Sequence, residues 1–424
     1  MNKSMSNNMG KILVRDARVF DASGADPFRG DVLIEGDRIT RVSRAAGKIA
    51  AEGCQVIEAK GMFLMPGMTE GHAHLSFDNV TSTEDLIKPP PEEHTLLTAR
   101  VAERLLDQGF TSAWGASEAK LRLGVAIRNE INAGRLKGPR VRAGSLEISV
   151  TGAMGDESKL HDPRPGGPSI IVDGPEEMRK AVRLCCREGC DNIKLDVSGD
   201  PFYPGTPAHT TPMSYEEIKM AVDTAHDYGR RVNAHVRSIG GAQACLRAGV
   251  DVLFHCEYTD EKTLDMFEEA KDRIFVVPTV SLFHTILYEA EPYIPGSVAI
   301  AMGLDRLLEA SAETHSALRK RGIRHAIGGD YGFAWSHNGT NARDIGFFVK
   351  YFGYTPAEAL VCATATGGAL MTMGTDEKLG LLKEGYLADM ILVDGDPIAD
   401  PSVVVDAKNL KVIMKGGVLH KNIM

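Results

Sequence analysis

The chain has 424 residues, 43% hydrophobic and 25% charged, an ordinary globular composition long enough to bury a large core. A formal charge of −9 leaves no basic stripe for a phosphate backbone, so no nucleic-acid partner is expected. The opening segment MNKSMSNNMGKILVRDARVF holds no apolar signal core, no stretch approaches the roughly 18 apolar residues of a membrane span, and seven cysteines form no paired framework. The expectation is a cytoplasmic protein with no membrane partner.

In chain order, KILVRDARVFD, GDVLIEGDRITRVS and QVIEAKG read as short strands, separated by turn signals at Gly30-Asp31 and Gly36-Asp37. The tail repeats this texture in YLADMILVDGD and LKVIMKGGVLH. Residues 1–65 with 375–424 are therefore expected to form one small β-sandwich built from both termini. The middle, 66–374, alternates strand and helix. Strands are predicted at 62–66, 110–115, 141–149, 191–197, 231–236, 251–256, 274–280 and 325–329. Helical patterns follow each one, from HTLLTARVAERLLDQ to TPAEALVCATATGGALMTM. Eight βα units predict an α/β fold, a (β/α)8 TIM barrel, rather than a doubly wound open sheet. Cys185, Cys186 and Cys190 fall on the helical pattern PEEMRKAVRLCCREGC and read as buried free thiols rather than a metal site.

Barrels of this type carry their chemistry where strands hand over to loops. The first strand leads into LMPGMTEGHAHLS, where His72 and His74 are two apart. In extended backbone both imidazoles face one side and can grip one metal ion. The fourth strand, NIKLDVSG, carries Lys194 inside an apolar run, costly unless the amine is paired or modified. The fifth, sixth and eighth strands end in RVNAHVRS, VLFHCEY and AIGGDYG, offering His235, His255 and Asp330. Each residue alone has a dull explanation; the set on five strands at one end of a barrel does not.

With its motifs PGMTEGHAHLS and GLLKEGYLADMILVDGDP, the chain resembles the amidohydrolase superfamily from about residue 10 to the end. The pattern is similar to its dipeptidase-like and imidazolonepropionase-like amide hydrolases, which use a carboxylated lysine. The resemblance implies two divalent metal ions, zinc foremost, with cobalt, manganese or iron as alternatives. It implies His72, His74 and Asp330 on the buried ion, His235 and His255 on the other, and carboxylated Lys194 between them. A metal-bridging hydroxide would attack the amide of a small molecule, xenobiotics and toxins included, with Asp330 moving the proton. By analogy a homo-oligomer is expected.

The sequence departs from that pattern at two places. Met154, in VTGAMGD, stands where many relatives carry a histidine near the substrate. Arg237 follows His235 where relatives have small residues or histidine, and reads either as an anchor for a substrate carboxylate or as a surface salt bridge. Long loops at 150–174, 198–213, 281–301 and 331–344 are expected to shape the pocket. They offer Tyr203, His209, His284, Tyr288, Trp335 and His337 toward the substrate. The segment KPPPEEH reads as a rigid bend beside the pocket. A lactonase or a carbamate or urea hydrolase would use the same metals. A mononuclear deaminase would lack the lysine and carry a glutamate after His235. A catalytically silent scaffold would have lost ligands that are all present here.

Overall fold

The computed structural model describes residues 10–161, 167–203 and 205–424. Five strands come first: β1 (Lys11–Val19), β2 (Phe28–Glu35), β3 (Arg38–Ser43), β4 (Cys54–Glu58) and β5 (Phe63–Pro66). Nine follow in the middle: β6 (Met68–Ala73), β7 (Phe110–Gly115), β8 (Arg140–Arg142), β9 (Gly144–Ser149), β10 (Ile170–Ile171), β11 (Asn192–Asp196), β12 (Arg231–Val236), β13 (Val252–His255) and β14 (Phe275–Val277). The tail adds β15 (Met390–Val393), β16 (Leu410–Lys415) and β17 (Val418–Asn422).

Strands from both ends of the chain share one sheet, in the order β17-β16-β15-β5-β1-β2-β3, with β4 paired to β1. Period-two alternation gives the sheet two apolar faces. Leu64, Met390, Leu392, Val412 and Met414 pack among the sheet's own residues. Their neighbours Phe63, Met65, Ile391, Val393 and Ile413 turn instead toward the helices of the barrel. Residues 62–66, expected as the first barrel strand, thus belong to this terminal sheet. Pro66 and Gly67 end the run, and the barrel's first strand is β6.

The barrel strands pair in parallel, in two runs. β6 pairs with β7 and β7 with β8, while β9, β11, β12, β13 and β14 pair in sequence. The stretch expected as one strand at 141–149 is broken at Ala143, with β8 serving β7 and β9 serving β11. The expected eighth strand, 325–329, forms only an isolated bridge from His325 to Val276. Backbone bonds join the eighth position to both neighbours: Ala326 N–H donates to Val276 O at 3.0 Å, and Gly71 N–H to Ile327 O at 2.9 Å. Glycine is required at this seam, because a Cβ on Gly71 would stand 2.6 Å from Ile327 O and one on Gly328 2.6 Å from His72 N.

Helices cover the barrel for readable reasons. Helix Pro175–Arg187 starts with proline and two glutamates, then buries Met178, Ala181, Val182, Cys185 and Cys186 along one stripe. Cys185, Cys186 and Cys190 are buried and free, as expected. Helix Tyr215–Asp227 is capped by a reciprocal Ser214–Glu217 box. The prolines of KPPPEEH initiate helix Pro91–Asp107. Residues 281–301, expected as a loop, are mostly helical, as Val280–Tyr288 and Gly296–Ala301. Inside the barrel, Trp114, Phe254, Phe275 and Val277 form a packed plug beneath the C-terminal end. Among the described residues no helix is long and apolar enough to cross a membrane.

Candidate active site

Alternation along the strands decides which side chains enter the barrel. On β11, Ile193 and Leu195 pack outward against helices, as does Val197 just beyond. Lys194 and Asp196 therefore point inward. On β12, Val232, Ala234 and Val236 face the helices, which turns Asn233 and His235 inward. Strand β13 breaks the rule usefully. Leu253 is outward, so strict alternation would send His255 outward too. Instead His255 adopts φ 72° and Cys256 φ 61°, and the turn swings the imidazole into the cavity. Thr279 (φ 56°) and Asp330 (φ 59°) hold the same left-handed conformation at the ends of the next two strands. Such backbone costs about 1–3 kcal/mol per residue and persists where surrounding structure enforces it, commonly at functional sites.

The floor collects lone pairs. His72 Nε2 lies 3.1 Å from His74 Nε2. Asp330 Oδ1 is 3.1 Å from His74 Nε2 and 3.7 Å from His72 Nε2. Ligand atoms of His72, His255 and Asp330 all lie within 4.8 Å of one another. Except on His72, the second imidazole nitrogen of each ring is committed. His74 Nδ1 donates to Ser117 O at 3.0 Å, and His235 Nε2 to Gly199 O at 3.2 Å. Thr279 Oγ1 donates to Pro278 O and so accepts from His255 Nδ1 at 2.6 Å. This leaves His74 Nε2, His235 Nδ1 and His255 Nε2 as bare acceptors. Burial holds the pKa of His72, His235 and His255 well below the ordinary histidine value, so the rings stay neutral. Burial also works to raise Asp330, but His72, His74 and Lys194 carry its carboxyl below the usual range. Converging acceptors with one carboxylate are poorly satisfied by a single shared proton and well satisfied by a cation, so the donor set fits a divalent metal.

Lys194 is 1% exposed and lines the same cavity. Among the described residues its Nζ has two long polar contacts, 3.4 Å to Glu147 Oε1 and 3.6 Å to Asp196 Oδ1. Both lie beyond the ordinary hydrogen-bond range, so the buried amine is under-satisfied. Among the described residues neither Asp196 oxygen has a close hydrogen-bond partner.

These groups form the base of a cavity of about 370 Å³. Of the residues expected to reach substrate, Met154, Tyr203, Arg237 and Trp335 line it, and His209, His284, Tyr288 and His337 do not. His209 is exposed on its loop. His284 Nδ1 pairs with Tyr351 OH at 2.6 Å and its ring packs against Tyr288, away from the cavity. His337 is exposed, its Nδ1 2.8 Å from Asn79 Oδ1. Arg237 is no surface salt bridge. It is 1% exposed, its Nε donating to Asp200 Oδ2 at 2.9 Å and Nη1 to Glu257 Oε1 at 2.5 Å, with the guanidinium over Phe283. The sequence reading missed Glu147 and Asp200, and the apolar wall of Phe77, Leu86, Tyr293 and Phe333. Inward alternation on the third strand was the available signal for Glu147.

A relay of buried neutral groups backs the site. His315 Nε2 donates to the carbonyl of His255 at 2.7 Å. His325 Nε2 donates to His315 Nδ1 at 3.1 Å, and Tyr354 OH to His325 Nδ1 at 2.7 Å. One donor and one acceptor per ring satisfy the whole chain of bonds, so the left-handed turn at His255 is held from behind.

A family model described as the amidohydrolase family matches residues 63–419. An ochratoxinase of Aspergillus niger is 29% identical over 438 residues, spanning 98% of this chain and 88% of that protein. An imidazolonepropionase of Anaeromyxobacter sp. (strain K) is 24% identical over 396 residues, spanning 85% and 83%. The crystal structure of A. niger ochratoxinase superposes with a TM-score of 0.84 at 27% identity, covering 98% of this chain and 96% of that one. A Xaa-Pro dipeptidase with methionine bound in its active site gives 0.86 at 26% identity, covering 97% and 100%.

Proposed function

This chain belongs to the amidohydrolase family and is an enzyme that hydrolyses amide-type C–N bonds of small molecules, and from that premise we propose that its substrates are N-acyl amino acids, dipeptide-like compounds or aryl amides. A xenobiotic or toxin amide falls within this class, a reading supported by the likeness to an ochratoxinase. The observation that carries the proposal is the convergence of His72, His74, His255 and Asp330 at the floor of the cavity.

Metal binding is typical of the family. In this reading His72, His74 and Asp330 would hold one divalent ion and His235 and His255 a second, with a carboxylated Lys194 as a further ligand. Zinc suits the imidazole-rich donors, with cobalt, manganese or iron as substitutes. When bound, two such ions lower the pKa of water and polarise the scissile carbonyl. The chain's own residues do the rest. Asp330 takes a proton from the attacking water and hands it to the departing nitrogen. Asp200 and Glu257 fix Arg237 in the cavity wall, beside the acyl or amine half of the substrate. Phe77 and Leu86 keep bulk water off the floor. Met154 offers no hydrogen-bond donor where relatives carry a histidine. The enzyme acts in the cytoplasm as a homo-oligomer on a free small molecule. The unpaired cysteines and the family analogy support this.

Asp330→Asn tests the proton role. The variant is expected to keep its near-ultraviolet circular dichroism and to lose at least about 100-fold in kcat on any amide the parent cleaves. Retained turnover would remove Asp330 as the proton carrier.

A further inference from the structure

Above the polar floor the cavity wall is a continuous run of rings. Phe77 stacks on His74 with centroids 4.3 Å apart and planes 12° apart. Phe333 meets Phe77 edge-on at 6.1 Å and 82°. Trp335 lies parallel to Phe333, at 5.5 Å and 9°. Tyr293 continues the series 6.1 Å from Trp335. All four residues line the cavity. They come from three separate segments: the loop after β6, the turn between helices Val280–Tyr288 and Gly296–Ala301, and the loop after the eighth strand position.

Packing alone does not account for this arrangement. Phe333 and Trp335 are partly buried and Tyr293 is 53% exposed, and all three contribute surface to the cavity. The loops that carry the rings are nevertheless fixed. Val80 N–H donates to Gly332 O and Ala334 N–H to Val80 O, each at 3.0 Å, which ties the loop after β6 to the loop after strand eight. A rigid, flat, partly exposed aromatic wall beside a catalytic floor is built to receive something flat.

We infer that this ladder is the subsite for a planar aromatic group carried by one half of the amide substrate, while the polar remainder of that substrate lies on the floor near Arg237. The inference rests on the amide-hydrolase reading above and narrows it to amides with an aromatic acyl or aromatic amine half. A saturated ring of the same size would bury similar area but would stand off the parallel faces of Phe333 and Trp335, losing the stacking geometry.

Matched pairs isolate flatness from size. The metal-loaded full-length enzyme is assayed on N-benzoylglycine against N-cyclohexanecarbonylglycine, and on N-acetylphenylalanine against N-acetylcyclohexylalanine. At least one aromatic member is expected to exceed its saturated partner by about tenfold in kcat/KM, near the upper end of what one aromatic contact adds beyond burial. That preference is expected to collapse in Phe333→Leu and Trp335→Leu. Equal rates within both pairs would overturn the inference and leave the amide hydrolase standing.

Fluorescence gives a readout independent of turnover. The chain has two tryptophans, Trp114 fully buried and Trp335 on the ladder. Benzoate is expected to quench tryptophan emission saturably where cyclohexanecarboxylate does not, and Trp335→Phe to abolish the quench. If no amide is cleaved, the function fails, and this titration still decides the subsite: no saturable quench by benzoate would overturn it.

Discussion

Every histidine on the cavity floor except His72 has one nitrogen committed to a fixed acceptor, and that commitment decides which lone pair faces the cavity. The commitments at His255 are the most heavily supported. Thr279 fixes the ring, and His315 holds the carbonyl. Burial pushes the pKa of His315 down from 6.5 to about 3, against a smaller opposing effect of its bond to His255. The folded-state value is below the unfolded one, so in the window between them the unfolded chain binds a proton the folded chain refuses. Stability therefore falls as pH drops from about 6.5 toward about 3, by about 1.4 kcal/mol per pH unit for this group, and is indifferent to it above that window. Urea denaturation of metal-free protein is expected to show a shallower acid slope in His315→Gln, by about that amount. An unchanged slope would mean that His315 is protonated in the fold. At this scale the sequence was legible where side chains sit on regular strands. His72, Lys194 and His235 follow from alternation. That His255 reaches the cavity depends on a left-handed φ that no local pattern signals, since neither His255 nor Cys256 is a residue that turns favour. His209 and His337 read as pocket residues because they lie on long loops, and His284 because residues 281–301 read as one. A loop's path is set by packing, and that of His209 and His337 leads to the surface, while His284 sits on a helix and pairs with Tyr351.

The barrel's elements are held unequally. The strands from β9 to β14 form ordinary ladders, while the eighth position contributes one bridge and a few backbone bonds. Close approach substitutes for pairing there. Gly328 →Ala would place a Cβ 2.6 Å from His72 N and 2.7 Å from Val277 Cγ1. Because a strand and a candidate ligand must both shift, the substitution is expected to destabilise the fold by about 1–3 kcal/mol in chemical denaturation and to weaken metal retention as His72 moves. Full stability together with full metal content would show that the seam is loose. Element boundaries were legible where caps or periodicity marked them, as at Pro175 and Ser214. They failed where one apolar run served two sheets. MFLMPGM reads as one segment, yet Phe63–Pro66 pairs with β15 and Met68–Ala73 with β7. Helix Val280–Tyr288 was missed because Thr279 gives it no side-chain cap and its sequence is apolar nearly all round.

At the scale of the molecule, eight repeated βα units fix the architecture, and the architecture gathers distant residues at one end. His72 and Asp330 are far apart in sequence and meet across the seam between the first and eighth strand positions. The terminal sheet packs its second apolar face on the barrel's helices through Phe63, Met65 and Ile391. The aromatic ladder emerges only at this scale, from three segments that share no sequence motif. The mechanism requires metal at the cavity floor. Elemental mass spectrometry of protein purified without chelator measures it directly, with Lys194→Ala in parallel. About two transition-metal ions per parent chain are expected, as a binuclear hydrolase requires, with metal lost from Lys194→Ala and partly restored by a short carboxylic acid. No metal in the parent, even after reconstitution in bicarbonate, would contradict the mechanism at its foundation.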